Sequence, residues 1–128
     1  MTADKKKTSV PPDRLRLYEA LVASTPGIAS KSNFGAAYTA INGNMYSMIS
    51  KYGAVGIRLP EPARSAFLEQ HATTIFRADP AWPPSKEYVA VPDAPLEDTA
   101  ALRPYLQASY AYALTLRPKP TTKKASLG

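Results

Sequence analysis

One stretch decides the fold: SNFGAAYTAINGNMYSMISKYGAVGIRL, residues 32–59. It divides into three short apolar-rich runs, which are separated by two turn pairs: 32–41, Asn42-Gly43, 44–50, Tyr52-Gly53 and 54–59. Asn-Gly favours a two-residue type I′ hairpin turn, because that turn needs positive φ at both central positions and these residues tolerate it best. The stretch therefore predicts a meander of three strands, and we expect this meander to be the scaffold of the protein.

Helices and two further strands are predicted around this meander. Apolar residues recur at three- and four-residue spacing in 13–23 and again in 98–116, which predicts an amphipathic first helix and last helix. A middle helix is expected to begin at Pro60-Glu61-Pro62, and strands are expected at 73–78 and 86–91. The resulting order, α-β(3)-α-β(2)-α, predicts an α+β fold in which helices flank an antiparallel sheet.

The predicted sheet has apolar residues on both faces. Strict alternation puts Met45, Ser47 and Ile49 on one face of the middle strand, and Tyr46 and Met48 on the other. Because apolar side chains on both faces favour burial of both, we expect helices over one face. We expect a loop or a second subunit over the other face.

The net charge of +6 resides in the two ends of the chain. Residues 13–116 contain nine basic and nine acidic residues and are formally neutral, while residues 1–12 carry +2 and residues 117–128 carry +4. Both ends are poor in apolar residues. We therefore expect disordered basic tails at 1–12 and 118–128, on either side of a single domain at 13–117.

The composition argues against several classes of site. Cysteine is absent and histidine occurs once, as His71, so thiolate chemistry, disulfides and multi-histidine metal sites have no residues to build on. The glycines match neither the phosphate-binding loop nor the dinucleotide fingerprint. No run approaches the ~20 apolar residues that span a bilayer, and the lysines near the start are not followed by a signal-peptide pattern. We therefore expect a cytoplasmic protein that is not an enzyme, with no cofactor, no metal and no membrane partner, in which His71 is a solvated helix-end residue.

Four residues are candidates for contact with a partner or a ligand. Lys31, Phe34 and Arg58 would line a site for an anionic group if adjacent strand ends brought the two cations together. In the alternative interpretation Phe34 belongs to the core and both cations are solvated. Trp82 stands in a proline-rich loop, and is either an exposed anchor for a partner or a lid over the open sheet face.

Several short motifs resemble the TfoX (Sxy) N-terminal domain family. Its members carry a basic residue shortly before a Phe-Gly that opens the first strand, then a glycine turn, a Met-aromatic strand, and an apolar strand that ends in a basic residue. The corresponding pieces are Lys31-Ser32-Asn33-Phe34-Gly35, Asn42-Gly43, Met45-Tyr46-Ser47-Met48 and Val55-Gly56-Ile57-Arg58-Leu59. The chain departs from the usual Met-Phe-Gly-Gly at Asn33 and Ala36. The second half is similar at 88–92 and in the last helix, so the likeness covers about residues 13–117.

The resemblance implies the α-β(3)-α-β(2)-α arrangement that is also seen in secretion chaperones, a group in which dimers are common. In the founding members of the family this domain is joined to a second, helical domain, and it acts in competence gene control through a transcription activator. By resemblance we expect a homodimer, with a protein partner in transcriptional regulation.

Three functional hypotheses follow from the residues and the resemblance. The first is a non-catalytic regulatory domain that works through protein contact. The second is weak, sequence-independent nucleic-acid binding through the lysines of the two tails. The third is an enzyme, which would need carboxylates to converge in a pocket, and the candidates for that role are Glu19, Glu61, Glu69 and Glu87.

Overall fold

The structure, a computed structural model, describes residues 11–25, 27–28, 31–33, 36–77, 81 and 83–118. Most of the two predicted tails, residues 1–10 and 119–128, lies outside this part of the chain. Within it there are four helices and five strands. In chain order they are α1 (Pro12–Ala23), β1 (Lys31–Asn33), β2 (Ala36–Ile41), β3 (Asn44–Ile49), β4 (Val55–Arg58), α2 (Ala63–Gln70), β5 (Tyr88–Ala90), α3 (Asp93–Leu96) and α4 (Thr99–Thr115).

The five strands form one antiparallel sheet in which spatial order follows chain order, β1-β2-β3-β4-β5. The long helix α4 lies across β2, β3 and β4, with α1 and α3 beside it, while α2 lies against β5. The predicted α+β class, an antiparallel sheet with flanking helices, is confirmed.

The Asn-Gly turn between β2 and β3 has the predicted backbone angles. The φ angle is 55° at Asn42 and 79° at Gly43, and a type I′ turn requires such a pair of positive values. Ile41 lies directly opposite Asn44 on the two sides of the turn. The turn therefore sets the register at the start of the β2–β3 pair.

The first predicted strand, 32–41, is two strands in the structure. Asn33 lies opposite Ala36, so the chain reverses between them and forms the antiparallel pair β1 and β2. The reversal puts Lys31 on the outer strand, opposite Tyr38. Periodicity alone did not reveal this division of 32–41, because side-chain alternation along one run does not show where the chain pairs with itself.

The second half of the chain differs from its prediction in two places. Of the described residues in the predicted strand 73–78, only Ile75 forms a β-bridge, to Val89 on β5. The backbone N–H of Phe76 also donates to the carbonyl of Tyr88 at 2.8 Å, so this segment follows the edge of β5 without becoming a full strand. The short helix α3 was not predicted, because a single turn carries no apolar period.

A register shift in the β2–β3 pair changes which side chains face the helices. Thr39 lies opposite Ser47 and Ala40 lies opposite Met45, so Tyr46 has no partner on β2. This is the geometry of a β-bulge, in which one extra residue interrupts the alternation of side chains. Tyr46 and Ser47 are consequently both buried, while Met45 is partly exposed. The strict alternation predicted for this strand is therefore wrong at Met45 and at Tyr46.

The hydrophobic core lies between the sheet and the layer of described helices. Burial of each large apolar side chain stabilises the fold by roughly 1.5–3 kcal/mol, so this layer is the main source of stability. The core side chains with 0% exposure are Tyr18, Leu21, Ile49, Ile57, Leu59, Phe67, Val89, Leu102, Leu106 and Ala113.

The opposite face of the sheet, named here the far face, is partly covered. Tyr38 lies opposite Met48 on this face, and both side chains are partly exposed, as is Met45 nearby. Phe76 is buried against Gly56 of β4, and Gly56 lies directly opposite Met48 of β3. Among the described residues, the helices therefore cover one face, and the segment around Phe76 covers part of the other.

Candidate functional site

Two of the four predicted contact residues, Lys31 and Arg58, lie in the described part of the chain. Phe34 and Trp82 lie outside the described residues. Lys31 lies in β1 and Arg58 ends β4, with β2 and β3 between these two strands. Three strand spacings of ~4.8 Å separate the two backbones by about 14 Å, so Lys31 and Arg58 are not on adjacent strand ends.

Arg58 lies at the centre of a polar cluster at the end of β4. Its Nε donates a hydrogen bond to Oε1 of Glu87 at 2.7 Å, and its Nη1 donates to the backbone carbonyl of Met45 at 3.2 Å. The hydroxyl of Tyr88, which lies opposite Arg58 in the β4–β5 pair, donates to the same carbonyl at 2.6 Å. The side chain of Arg58 is only 18% exposed, so these contacts fix a largely shielded cation.

Two aromatic rings flank the Arg58 guanidinium. Its central carbon lies 5.8 Å from the ring centroid of Tyr88 and 5.9 Å from that of Tyr112, within the range of cation–π attraction. Tyr112 comes from the last turns of α4, and its hydroxyl donates to Oε2 of Glu87 at 2.9 Å. Side chains from β4, β5, the loop before β5 and α4 therefore meet at one point.

Arg64, near the start of α2, is the second cation of this region. Its side chain is 17% exposed, and its nearest acidic oxygen, Oε2 of Glu61, lies 3.6 Å from Nε. The two carboxylate oxygens of Glu61 accept hydrogen bonds from the backbone N–H of Ser65 at 3.2 Å and from its hydroxyl at 2.9 Å. Within the described part of the chain, no hydrogen bond of the Arg64 guanidinium is found. We call the four residues that contact one another, Arg58, Glu87, Tyr88 and Tyr112, the Arg58 cluster.

The ionisation of the Arg58 cluster follows from these contacts. Burial alone would raise the pKa of Glu87, but hydrogen bonds from Arg58 and Tyr112, with the positive charges of Arg58 and Arg64, hold it below its ordinary value. The pKa of Tyr112 is raised, chiefly because its hydroxyl donates to the Glu87 carboxylate. Burial raises the pKa of Tyr88. Near neutral pH the cluster therefore contains an ionised carboxylate and two protonated phenols.

Sequence reasoning identified Arg58 but not its neighbours. Tyr112 was expected on the apolar stripe of the last helix, and Arg64 was not singled out. Glu87 was considered only as one of four carboxylates for an enzymatic site. In the structure Glu87 is bonded to Arg58 and Tyr112, and Glu61 to Ser65. The remaining candidates, Glu19 and Glu69, are exposed.

His71 was expected to be a solvated helix-end residue, and only its position is as predicted. It follows the last residue of α2, yet its ring is packed 4.4 Å from the ring of Phe67 and 6.0 Å from that of Tyr105, centroid to centroid. Its Nε2 is buried, with no hydrogen-bond partner among the described residues. The ring is therefore part of the aromatic packing between α2 and α4.

The described residues contain no group of three or more histidine, cysteine, aspartate or glutamate side chains that could hold a metal ion. None of the described helices is both long enough and apolar enough to cross a membrane.

No protein-family model matches the chain, and no curated protein is significantly similar to it in sequence.

Proposed function

We propose that residues 13–117 form a non-catalytic interaction domain that works as a homodimer. The observation that carries this proposal is the far face, where Tyr38, Met45 and Met48 are partly exposed on the side of the sheet away from the helices. An apolar surface of this kind gains free energy when a partner removes it from water. A second copy is a suitable partner, since the same patch can meet itself about a two-fold axis.

The charge distribution supports self-association of the folded body. Residues 13–116 are formally neutral, so two copies of the body do not repel each other through net charge. Methionine side chains also adapt to irregular surfaces, which favours them at contact sites. Charge therefore does not oppose a contact in which Met45 and Met48 face a second copy.

The cellular setting of the proposal rests on the resemblance to the TfoX N-terminal domain family. By that resemblance the domain acts in the cytoplasm, in a regulatory process, through a protein partner in transcriptional control. The motifs around Asn42-Gly43 and Arg58 carry the resemblance.

Sedimentation equilibrium of the full chain tests the dimer. We expect a dimer at high micromolar concentration, and we expect Met48→Glu to shift the mass to that of a monomer, because the substitution puts a charge on the far face. Ala111→Glu, on an exposed position of α4, is the matched control and should remain dimeric. A wild-type chain that is a strict monomer, or two variants that behave alike, would refute this interface.

A second candidate function is sequence-independent nucleic-acid binding through the tails. The observation in its favour is that all the excess positive charge lies outside residues 13–116. Such binding should weaken steeply as salt increases, because phosphate contacts release counterions. It should also disappear when residues 1–12 and 118–128 are removed. Binding that survives this deletion would contradict the assignment to the tails.

A further inference from the structure

The bulge in β3 decides which face of the sheet Met45 occupies. Ser47 contacts the helix layer, and strict alternation from Ser47 would put Met45 on that side as well. The extra residue, Tyr46, shifts the pattern by one position, so Met45 lies opposite Ala40 and on the far face with Met48. The bulge therefore adds a second methionine to the surface that carries the proposed dimer.

The backbone at the bulge depends on side chains for its hydrogen bonds. The pairing of β3 with β4 ends at Ser47 and Ile57, so the carbonyl of Met45 lies beyond the last pair. Buried backbone acceptors need partners, and a bulge interrupts the ladder that normally supplies them. Two side chains donate to this carbonyl instead, Nη1 of Arg58 at 3.2 Å and the hydroxyl of Tyr88 at 2.6 Å.

These two donors are themselves held in place. Arg58 lies directly opposite Tyr88 in the β4–β5 pair, and its guanidinium carbon lies 5.8 Å from the centroid of the Tyr88 ring. Glu87 accepts a hydrogen bond from Arg58, and Tyr112 of α4 donates to the same carboxylate. The backbone of Met45 is therefore tied through Arg58 to β5 and to α4.

We propose that Arg58 and Tyr88 are positioning residues of the far-face contact. By holding the carbonyl of Met45, they keep its side chain beside Met48, where a second copy of the chain meets it. This inference rests on the proposed homodimer, and it gives the Arg58 cluster a role in that dimer. A surface that is fixed before association loses less conformational entropy when the partner arrives.

The size of the effect follows from the population of the competent surface. When a hydrogen bond to the Met45 carbonyl is removed, only the molecules that still present Met45 on the far face associate well. The apparent dissociation constant then rises by the inverse of that fraction.

Sedimentation equilibrium of Tyr88→Phe tests this role, because the substitution removes one donor and keeps the ring. We expect the dimer dissociation constant to rise at least about threefold over that of wild type. Tyr105→Phe is the matched control, since the Tyr105 hydroxyl donates to Gln70 at 3.3 Å between α4 and α2, and it should dimerise as wild type does. A wild-type dissociation constant in Tyr88→Phe would overturn the positioning role and leave the dimer standing. A monomeric wild type would overturn both.

Arg58→Lys tests the other donor and does not depend on the folding of Tyr88→Phe. It keeps the positive charge but lacks the planar guanidinium that reaches Glu87 and the Met45 carbonyl together. We expect it to weaken the dimer as well, and a dissociation constant equal to that of wild type would contradict the role of Arg58.

A double-mutant cycle shows whether Tyr88 acts through Met45. Met45→Ala should weaken the dimer, and Tyr88→Phe should cause little further loss in that background, because the side chain that it positions is already absent. An equal loss from Tyr88→Phe in both backgrounds would show that Tyr88 contacts the second copy directly, and this result would overturn the positioning role.

Discussion

The ring of Phe76 occupies the space beside Gly56 that a side chain would need. A β-carbon at Gly56 would lie 2.6 Å from two atoms of the Phe76 ring. Gly56 is in β4, and Phe76 follows the bridge residue Ile75, so this contact holds the segment after α2 against the far face. The absence of a side chain at position 56 is therefore a packing requirement.

Gly56→Ala should destabilise the fold by about 1–3 kcal/mol, because the added methyl group forces an overpacked contact with the Phe76 ring. Urea denaturation followed by circular dichroism measures the loss. The control is the same substitution in a Phe76→Leu background, where a smaller side chain leaves room for the methyl group. The cost of Gly56→Ala should be clearly smaller there, and an unchanged cost would contradict the proposed clash.

A buried chain of hydroxyl groups joins α1 to the sheet, and it supports a second prediction. Ser47 Oγ lies 2.7 Å from the hydroxyl of Tyr18 and 2.6 Å from that of Thr39, and all three residues are buried. Ser47→Ala would leave two buried hydroxyls without this partner, so we expect a loss of about 1–3 kcal/mol. Thermal and urea unfolding measure it.

Ser65→Ala is the matched control for that loss. The hydroxyl of Ser65 donates to the exposed carboxylate of Glu61, where water can replace the hydrogen bond. We expect this variant to remain within about 0.5 kcal/mol of wild type. A Ser47→Ala variant as stable as Ser65→Ala would show that the buried chain contributes little.

Local sequence signals predicted the turn between β2 and β3, because the chemistry of that turn is local. The pair Asn42-Gly43 alone indicates a type I′ turn, and both residues have the positive φ that this turn needs. The bulge at Tyr46 has no such signal. Its position depends on how β3 pairs with β2 and on the space under α4, which side-chain alternation along one strand does not contain.

The site was less predictable than the fold, because its members come from distant parts of the chain. The ion pair of Arg58 and Glu87 and the hydrogen bond from Tyr112 join residues that are 29 and 25 positions apart. A basic residue at the end of a strand predicts neither partner. Lys31 was paired with Arg58 on the expectation of adjacent strand ends, and the reversal after Asn33 puts it on the outermost strand instead.

Alkaline pH provides a third prediction, at Tyr18. Burial raises the pKa of the Tyr18 hydroxyl well above its ordinary value, although hydrogen bonds with Ser47 and Thr39 oppose this shift. The folded protein therefore keeps a proton that the unfolded chain loses near pH 10. The contribution to stability is complete below about pH 10 and is lost as the pH rises above that value.

Above about pH 10 the unfolding free energy of wild type should fall by up to about 1.4 kcal/mol per pH unit, because unfolding releases up to one proton from Tyr18. Tyr18→Phe should lack this part of the slope. Urea unfolding between pH 8 and pH 11 measures the slope, since this range includes the pKa of a free phenol, which is ~10. Ser47→Ala keeps the Tyr18 hydroxyl, so it should lower stability at neutral pH yet retain the alkaline slope. Equal slopes in wild type and Tyr18→Phe would refute this origin.

Acid pH provides the fourth prediction, at Glu87. Its pKa is lower in the folded protein than in the unfolded chain, since the hydrogen bonds and charges around it outweigh the effect of its burial. This contribution is therefore present above about pH 4.3, the ordinary value for glutamate, and it is lost as the pH falls below that value. The side chain is 35% exposed, so solvent screens the interactions and the contribution is at most ~1 kcal/mol.

Glu87→Gln should accordingly have a lower free energy of unfolding than wild type at neutral pH. The two free energies should become equal at pH ~3, where the wild-type carboxyl is protonated. Urea unfolding at both pH values measures the difference. Tyr112→Phe removes the hydroxyl that donates to Glu87. In that background the neutral-pH effect of Glu87→Gln should be smaller, because one of the two side-chain contacts is already absent. A difference of equal size at both pH values would show that the glutamate acts through its shape, and that its charge does not stabilise the cluster.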